Sequence, residues 1–259
     1  NHFALIGAVL AIGSILAGAA ARLRLQHAGR VVACTVILTA LASATLVRAQ
    51  TWASNVDIAQ VAVEQAPLSG RAWSLLCATR FANGGGAVAG NPALDEAIDA
   101  CTEGIASAPH SAGTHTLLVA LKSLRGDATS ADWARLQDAL RTVYMTRDNA
   151  RAYLALTYHY REGVPLDREE LLATLAIFAQ RDVLDPFSLA SLGYFVMNDL
   201  ADPARAIPFF SQAIQQLHPA DPFPAQLAAE LREKNEHELA DRVEAIGRLR
   251  HADPSASRR

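Results

Sequence analysis

Hydrophobic and polar residues follow two different rhythms along the chain. From Phe3 to Ala21, and again from Val31 to Val47, apolar side chains run almost without interruption. After residue 50 the runs break up, and apolar positions return every three or four residues, the spacing of a helix with one buried face. The first rhythm predicts helices in apolar surroundings on every side, and the second predicts an all-α array in water. Residue usage agrees with both, because Ala and Leu dominate and β-branched runs are scarce after residue 65. That bias favours helix over sheet.

The second region repeats itself. Ala66-Pro67-Leu68-Ser69 and Ala108-Pro109-His110-Ser111 are two copies of one phrase, each followed by a helix-forming stretch. Repetition of this kind means that like units bury their apolar faces by stacking side by side. Residues 186–219 fit the 34-residue helix-pair pattern of the tetratricopeptide repeat (TPR) best. Leu192-Gly193 stand in the first helix, Ala206, Phe210 and Ala213 in the second, and Pro219 closes the unit, with one extra residue in the turn. Ala97, Cys101 and Gly104 hold the same three second-helix positions ahead of Pro109, while Trp73, Leu76 and Cys77 hold the first-helix positions. The segment from Asn83 to Asn91 adds about eight residues to that unit; its Gly84-Gly85-Gly86 run predicts a flexible insertion, with no Lys-Ser/Thr to make it a phosphate loop.

Further helices are predicted over 51–66, 113–125, 130–144, 149–161, 168–180, 222–234 and 237–250. Asn91-Pro92 and Asp202-Pro203 place a capping residue before a first-turn proline, and Asp167 with Glu170 has capping-box spacing. The whole reads as a TPR α-solenoid over 51–250, with a frayed tail over 251–259.

Residues 1–50 contain no acidic residue, although Arg22, Arg24 and Arg30 cluster between the two apolar runs. The spacing predicts a transmembrane hairpin over 1–50, with spans at 3–21 and 31–47 and a cytoplasmic basic turn. Residues after 50 are then expected in the periplasm of a bacterial inner membrane, with Trp52 as an interfacial anchor. Asn at the first position predicts a chain that continues upstream.

Chemistry is sparse. The net charge of −3 and the absence of a basic, aromatic-interleaved stripe argue against nucleic acid as a partner. Neither the eight His nor the three Cys residues show metal-ligand spacing, so no catalytic, cofactor or metal residue is assigned. Tyr153 and Tyr160 share a helix face with Leu156 and are expected in the core. Tyr158 and His159 are candidate partner-binding residues on the concave face, with edge packing as the other reading. Cys77 and Cys101 face each other in one helix pair; either they form a disulfide or they serve as small buried hydrophobes.

The join Arg48-Ala49-Gln50-Thr51-Trp52, leading into a helix that ends Ala66-Pro67-Leu68-Ser69, resembles the C-terminal region of bacterial polytopic membrane proteins with a GT-C-type glycosyltransferase body followed by TPRs. These are similar to the transmembrane-and-TPR O-mannosyltransferases. The resemblance implies a membrane-anchored periplasmic module that binds a protein or peptide partner, as part of a lipid-linked-sugar-dependent glycosyltransferase. It also implies contact with lipid and other transmembrane helices. The acidic catalytic residues of that family lie in early loops and have no match here. A structural scaffold of an envelope assembly, without enzymatic activity, is the alternative.

Overall fold

The computed structural model describes Gly13, Ser14, Gly18 and residues 27–50, 52–181 and 184–252. It is all-α, with no strand among the described residues. The chain divides into two compact units, residues 1–58 and 59–259.

In the first unit, α1 spans His27–Gln50, and from Val31 to Val47 every residue is exposed. Val32, Val36, Leu38, Leu41, Leu46 and Val47 are each more than half exposed. The hydroxyls of Thr35 and Thr45 donate to the carbonyls of Val31 and Leu41, one turn back, so these two polar groups are satisfied within the helix. The described residues cover only part of the expected hairpin. Its first span, 3–21, lies outside the described residues apart from Gly13, Ser14 and Gly18. Among the described residues no helix is long and apolar enough to cross a membrane.

The second unit begins within α2 (Asn55–Gln65) and continues as helical hairpins. These are α3 (Gly70–Asn83) with α4 (Leu94–Ser107), α5 (Ala112–Arg125) with α6 (Ser130–Thr142), and α8 (Ala152–Arg161) with α9 (Arg168–Gln180). α10 (Pro186–Tyr194) then pairs with α11 (Pro203–Gln216), and α12 (Phe223–Glu233) with α13 (His237–Ala252). A single turn, α7 (Arg147–Ala150), precedes α8. First helices pack on first helices, α3 on α5 and α5 on α8. Second helices pack on second helices, α6 on α9, α9 on α11 and α11 on α13. Buried apolar residues accordingly form two clusters, one from Ala59 to Leu121 and one from Ala112 to Val243. Ala87 and Leu124 touch both.

Local sequence sets the helix starts. Ser69, Ser111, Thr129, Asp167, Asp185 and Asp202 each accept a backbone N–H from the first turn that follows. Each such cap typically contributes ~1 kcal/mol. At Asp167 the capping bond forms as expected, whereas the reciprocal capping box occurs at Thr129 and Asp132. Asn91 does not open its helix, which starts at Leu94. Its side chain is buried and ties the inserted turn instead, with Nδ2 donating to the carbonyls of Phe81 (3.0 Å) and Gly86 (2.8 Å), and Oδ1 accepting from the N–H of Ala93 (2.9 Å). The insertion expected to be flexible is therefore a hydrogen-bonded turn. Its backbone calls for glycine: a Cβ on Gly84 would lie 1.8 Å from Asn91 Oδ1, and Gly85 sits at φ +101°.

The extra residue in the 186–219 unit is absorbed as a π-helical turn, Phe195–Asp199. Its widened hydrogen bond runs from the N–H of Leu200 to the carbonyl of Phe195 at 3.1 Å. Asp199 is gripped by Arg161 through two 2.8 Å bonds, and the same guanidinium sits 5.4 Å from the Phe195 ring centre.

Candidate functional site

A cavity of about 640 Å³ in the second unit opens along the first turns of α3, α5 and α8. The two Ala-Pro-x-Ser phrases build it. Leu68, Gly70, Arg71 and Ser74 form one wall, residues 107–111 with Gly113 and Leu117 form the next, and Thr146, Asp148, Asn149, Arg151, Ala152 and Ala155 complete it.

Each wall is fixed by bonds that the phrase itself supplies. Ser69 Oγ accepts from the N–H of Ala72 and Ser111 Oγ from that of Thr114, so both helices start at defined points. Trp73 Nε1 donates to the Pro67 carbonyl at 2.7 Å, and His115 Nε2 meets the Pro109 carbonyl at 3.2 Å. A carbonyl only accepts, so the His115 proton resides on Nε2. Burial pulls the His115 pKa down, the Pro109 contact opposes this, and nearby Arg135 adds to the lowering.

Between the walls runs a chain of hydroxyls. Ser74 Oγ and Thr114 Oγ1 are 2.7 Å apart, and Thr114 Oγ1 donates to Ser111 Oγ at 2.8 Å. Gly70 allows the approach: a Cβ there would lie 2.4 Å from Ser111 Cβ. The third wall docks through Asn149, whose Oδ1 accepts from the N–H of Ala112 (3.0 Å) while Nδ2 donates to the carbonyls of Tyr144 (2.9 Å) and His110 (3.3 Å). Arg71 and Asp148 span the mouth as an exposed ion pair at 3.0 Å, worth at most ~1 kcal/mol and thus readily exchanged for a ligand's groups. Chemically the cavity offers an apolar floor and a rim of donors and acceptors. The hydroxyls of Ser74, Ser111 and Thr114 are engaged with one another, and the His115 ring nitrogen nearest the Pro109 carbonyl is engaged there, so no nucleophile–base pair is assembled among these residues.

The sequence-derived candidates fall elsewhere. Tyr158 is 57 % exposed on α8, whereas His159 is 5 % exposed and does not present its ring to a partner. That ring packs edge-on against Phe81, with centroids 5.6 Å apart. Its Nδ1 is buried with no hydrogen-bond partner, and burial lowers its pKa. Neither residue lines the cavity. Cys77 and Cys101 are both fully buried and joined as a disulfide, with Cα atoms 5.3 Å apart; Cys34 on α1 is exposed and free.

Sequence reasoning passed over His115 and Asn149. His115 was findable: both Trp73 and His115 follow a repeated proline by six positions. Asn149 bonds to residues 37 and 39 positions away, so nothing local marks it. Comparison of the chain with protein-family models, with curated proteins and with solved structures finds no significant match in any of the three.

Proposed function

We propose that the second unit is a TPR solenoid that holds an extended protein or peptide segment in the groove along α3, α5 and α8, and that α1 keeps it at a membrane. The observation that carries the reading is the 640 Å³ groove itself, an apolar floor rimmed by hydrogen-bonding groups at the starts of three successive first helices. Peptide backbones need this combination, since each residue brings a donor and an acceptor as well as a side chain. Repetition of the cap-and-proline phrase at successive first helices supports the TPR assignment.

Exposure of a helix that is apolar on every side supports the membrane role, because water is a poor neighbour for such a surface. A short apolar run is accommodated in lipid by local thinning and by flanking arginines that reach the interface; Arg30 and Arg48 flank this one. The wider context in this reading is the periplasmic, C-terminal part of a lipid-linked-sugar-dependent protein glycosyltransferase.

The test is selection of a random peptide display library on the full chain held in detergent micelles. Enriched peptides are expected to compete with one another and to lose binding in Leu117→Glu, which puts a charge on the groove floor, while retaining it in Gln180→Glu on α9. No enrichment, or equal loss in both variants, rejects the groove.

A further inference from the structure

The same crossing is filled in two different ways in two hairpins. Where α10 meets α11, Gly193 lies under the ring of Phe210, so close that a Cβ on Gly193 would sit 2.5 Å from a ring carbon. The equivalent residues of α3 and α4 are Cys77 and Cys101, both fully buried and covalently joined. At this crossing a bond takes the place of a large ring over a small residue. It also spans a sequence separation of 24 that contains the glycine-rich insertion. A longer turn leaves the open hairpin more conformational freedom to lose. The placement bears on the groove: Cys77 is about one turn beyond Ser74 on the first wall, and Cys101 lies on the helix that ends at Ser107, where the second wall begins.

We propose that the groove is assembled by oxidation: the walls take up their positions only once Cys77 and Cys101 are bridged. The inference rests on reading the groove as the binding site. Bridging takes two electrons and two protons from the two thiols and gives them to a protein or small-molecule disulfide. One cysteine thiolate first displaces one sulfur of that disulfide, and the second then displaces the other, leaving two thiols. Because both sulfurs are inaccessible in the closed hairpin, exchange takes place while it is open. The groove is therefore set during folding, in a compartment that supplies disulfide oxidants, and thereafter resists mild reductants.

The experiment compares amide hydrogen exchange of the full chain in micelles in three forms: oxidised with glutathione disulfide, refolded with the thiols reduced, and as Cys77→Ser/Cys101→Ser. Loop-closure entropy predicts that exchange in segments 70–76 and 107–114 accelerates by roughly two orders of magnitude on loss of the bridge, while segment 207–212 of α11 is unchanged. The Cys77→Gly/Cys101→Phe variant copies the 193–210 pair and should recover at least about tenfold of the lost protection, with no response to reductant. Equal exchange at the walls with and without the bridge overturns the inference, and so does acceleration of α11 to the same degree, which makes the bridge a general support of the fold. Exchange needs no ligand, so a failed peptide selection sinks the groove reading alone and leaves this result standing.

Discussion

Trp73 and His115 make the same hydrogen bond one repeat apart. Each ring nitrogen reaches back six positions to the carbonyl of its own repeat's proline, at 2.7 Å from Trp73 to Pro67 and at 3.2 Å between His115 and Pro109. The bond pins the incoming chain against the first turn of α3 or α5, which fixes where the groove walls begin. Two chemically different rings serve because the position needs only a flat, mostly apolar body with a donor at its edge.

His115 and His159 make stability depend on pH. Burial lowers both pKa values from the ordinary value of 6.5, so the folded chain favours neutral rings. The unfolded chain therefore binds more protons once pH falls below that value, and stability rises with pH across this window. The unfolding free energy from urea titrations should be level above about pH 7.5 and decline from about pH 6.5 downward, with a slope approaching ~1.4 kcal/mol per pH unit for each histidine. His159→Phe removes one titrating group without removing a hydrogen bond, since Nδ1 makes none, and should flatten the decline. An unchanged slope in that variant would show that His159 titrates normally.

Asp132 is the most heavily used carboxylate among the described residues. It is 3 % exposed, accepts from Lys122 at 2.9 Å and from Arg135 at 2.5 Å, and closes the α6 capping box through the N–H of Thr129 at 2.9 Å. Burial pushes its pKa up, but the hydrogen bonds from Lys122, Thr129 and Arg135 outweigh this and hold it well below the usual carboxylate range. Its contribution is present above the ordinary carboxylate pKa and is lost only as pH falls through the folded value, a more acidic window than that of the histidines. Asp132→Asn keeps the shape and drops the charge. We expect a loss of about 2–4 kcal/mol in chemical denaturation at pH 7, with Asp95→Asn, an exposed partner of Arg125, within about 0.5 kcal/mol of the parent.

Two helical glycines should respond in opposite directions to alanine. At Gly193 a methyl would collide with the Phe210 ring, which is fully buried and already in contact with Tyr194 at a 5.1 Å centroid distance; overpacking there should cost about 1–3 kcal/mol. At Gly113 the nearest atom to an added Cβ is Ser74 Oγ at 3.4 Å, an ordinary contact. Gly113→Ala should therefore gain about 0.5–1 kcal/mol from helix propensity, and it should narrow the groove that Gly113 lines. Thermal unfolding of both variants tests the pair, and destabilisation by Gly113→Ala would mean that this wall is tighter than the contact distances imply.

What the sequence shows of this fold is whatever depends on short spacings. Helix starts at Ser130, Arg168 and Pro203 follow from caps a few residues away. The Leu192-Gly193 and Ala206-Phe210-Ala213 pairing follows from helical periodicity. Misreadings arise where a distant or conformational cause decides. The glycine run at 84–86 looks flexible until Asn91 is seen tying it to Phe81 and Gly86. His159 looks presentable until Phe81, from another hairpin, is found covering it. The groove itself was hidden because its walls come from three hairpins, and the residue that docks the third wall, Asn149, carries no local signature.

Asn91 gives the inserted turn a single point of failure. Its amide satisfies two carbonyls, those of Phe81 and Gly86, and its oxygen satisfies the N–H of Ala93. Asn91→Asp keeps the acceptor but turns the donor end into a second acceptor facing two carbonyls, and Asn91→Ala leaves all three groups unpaired. A buried polar group without a partner costs about 1–3 kcal/mol, so both variants should lose stability by at least that much, with Asp the worse of the two because its charge is also buried. The loss should be local: limited proteolysis is expected to cut first between Gly84 and Gly90, with α11 and α13 intact. The proposed redox link gives the variants a second use. If the bridge holds α3 against α4 independently of the turn, oxidised Asn91→Ala keeps slow exchange at the groove walls while its turn is cut; fast exchange at the walls would show that turn and bridge act as one unit.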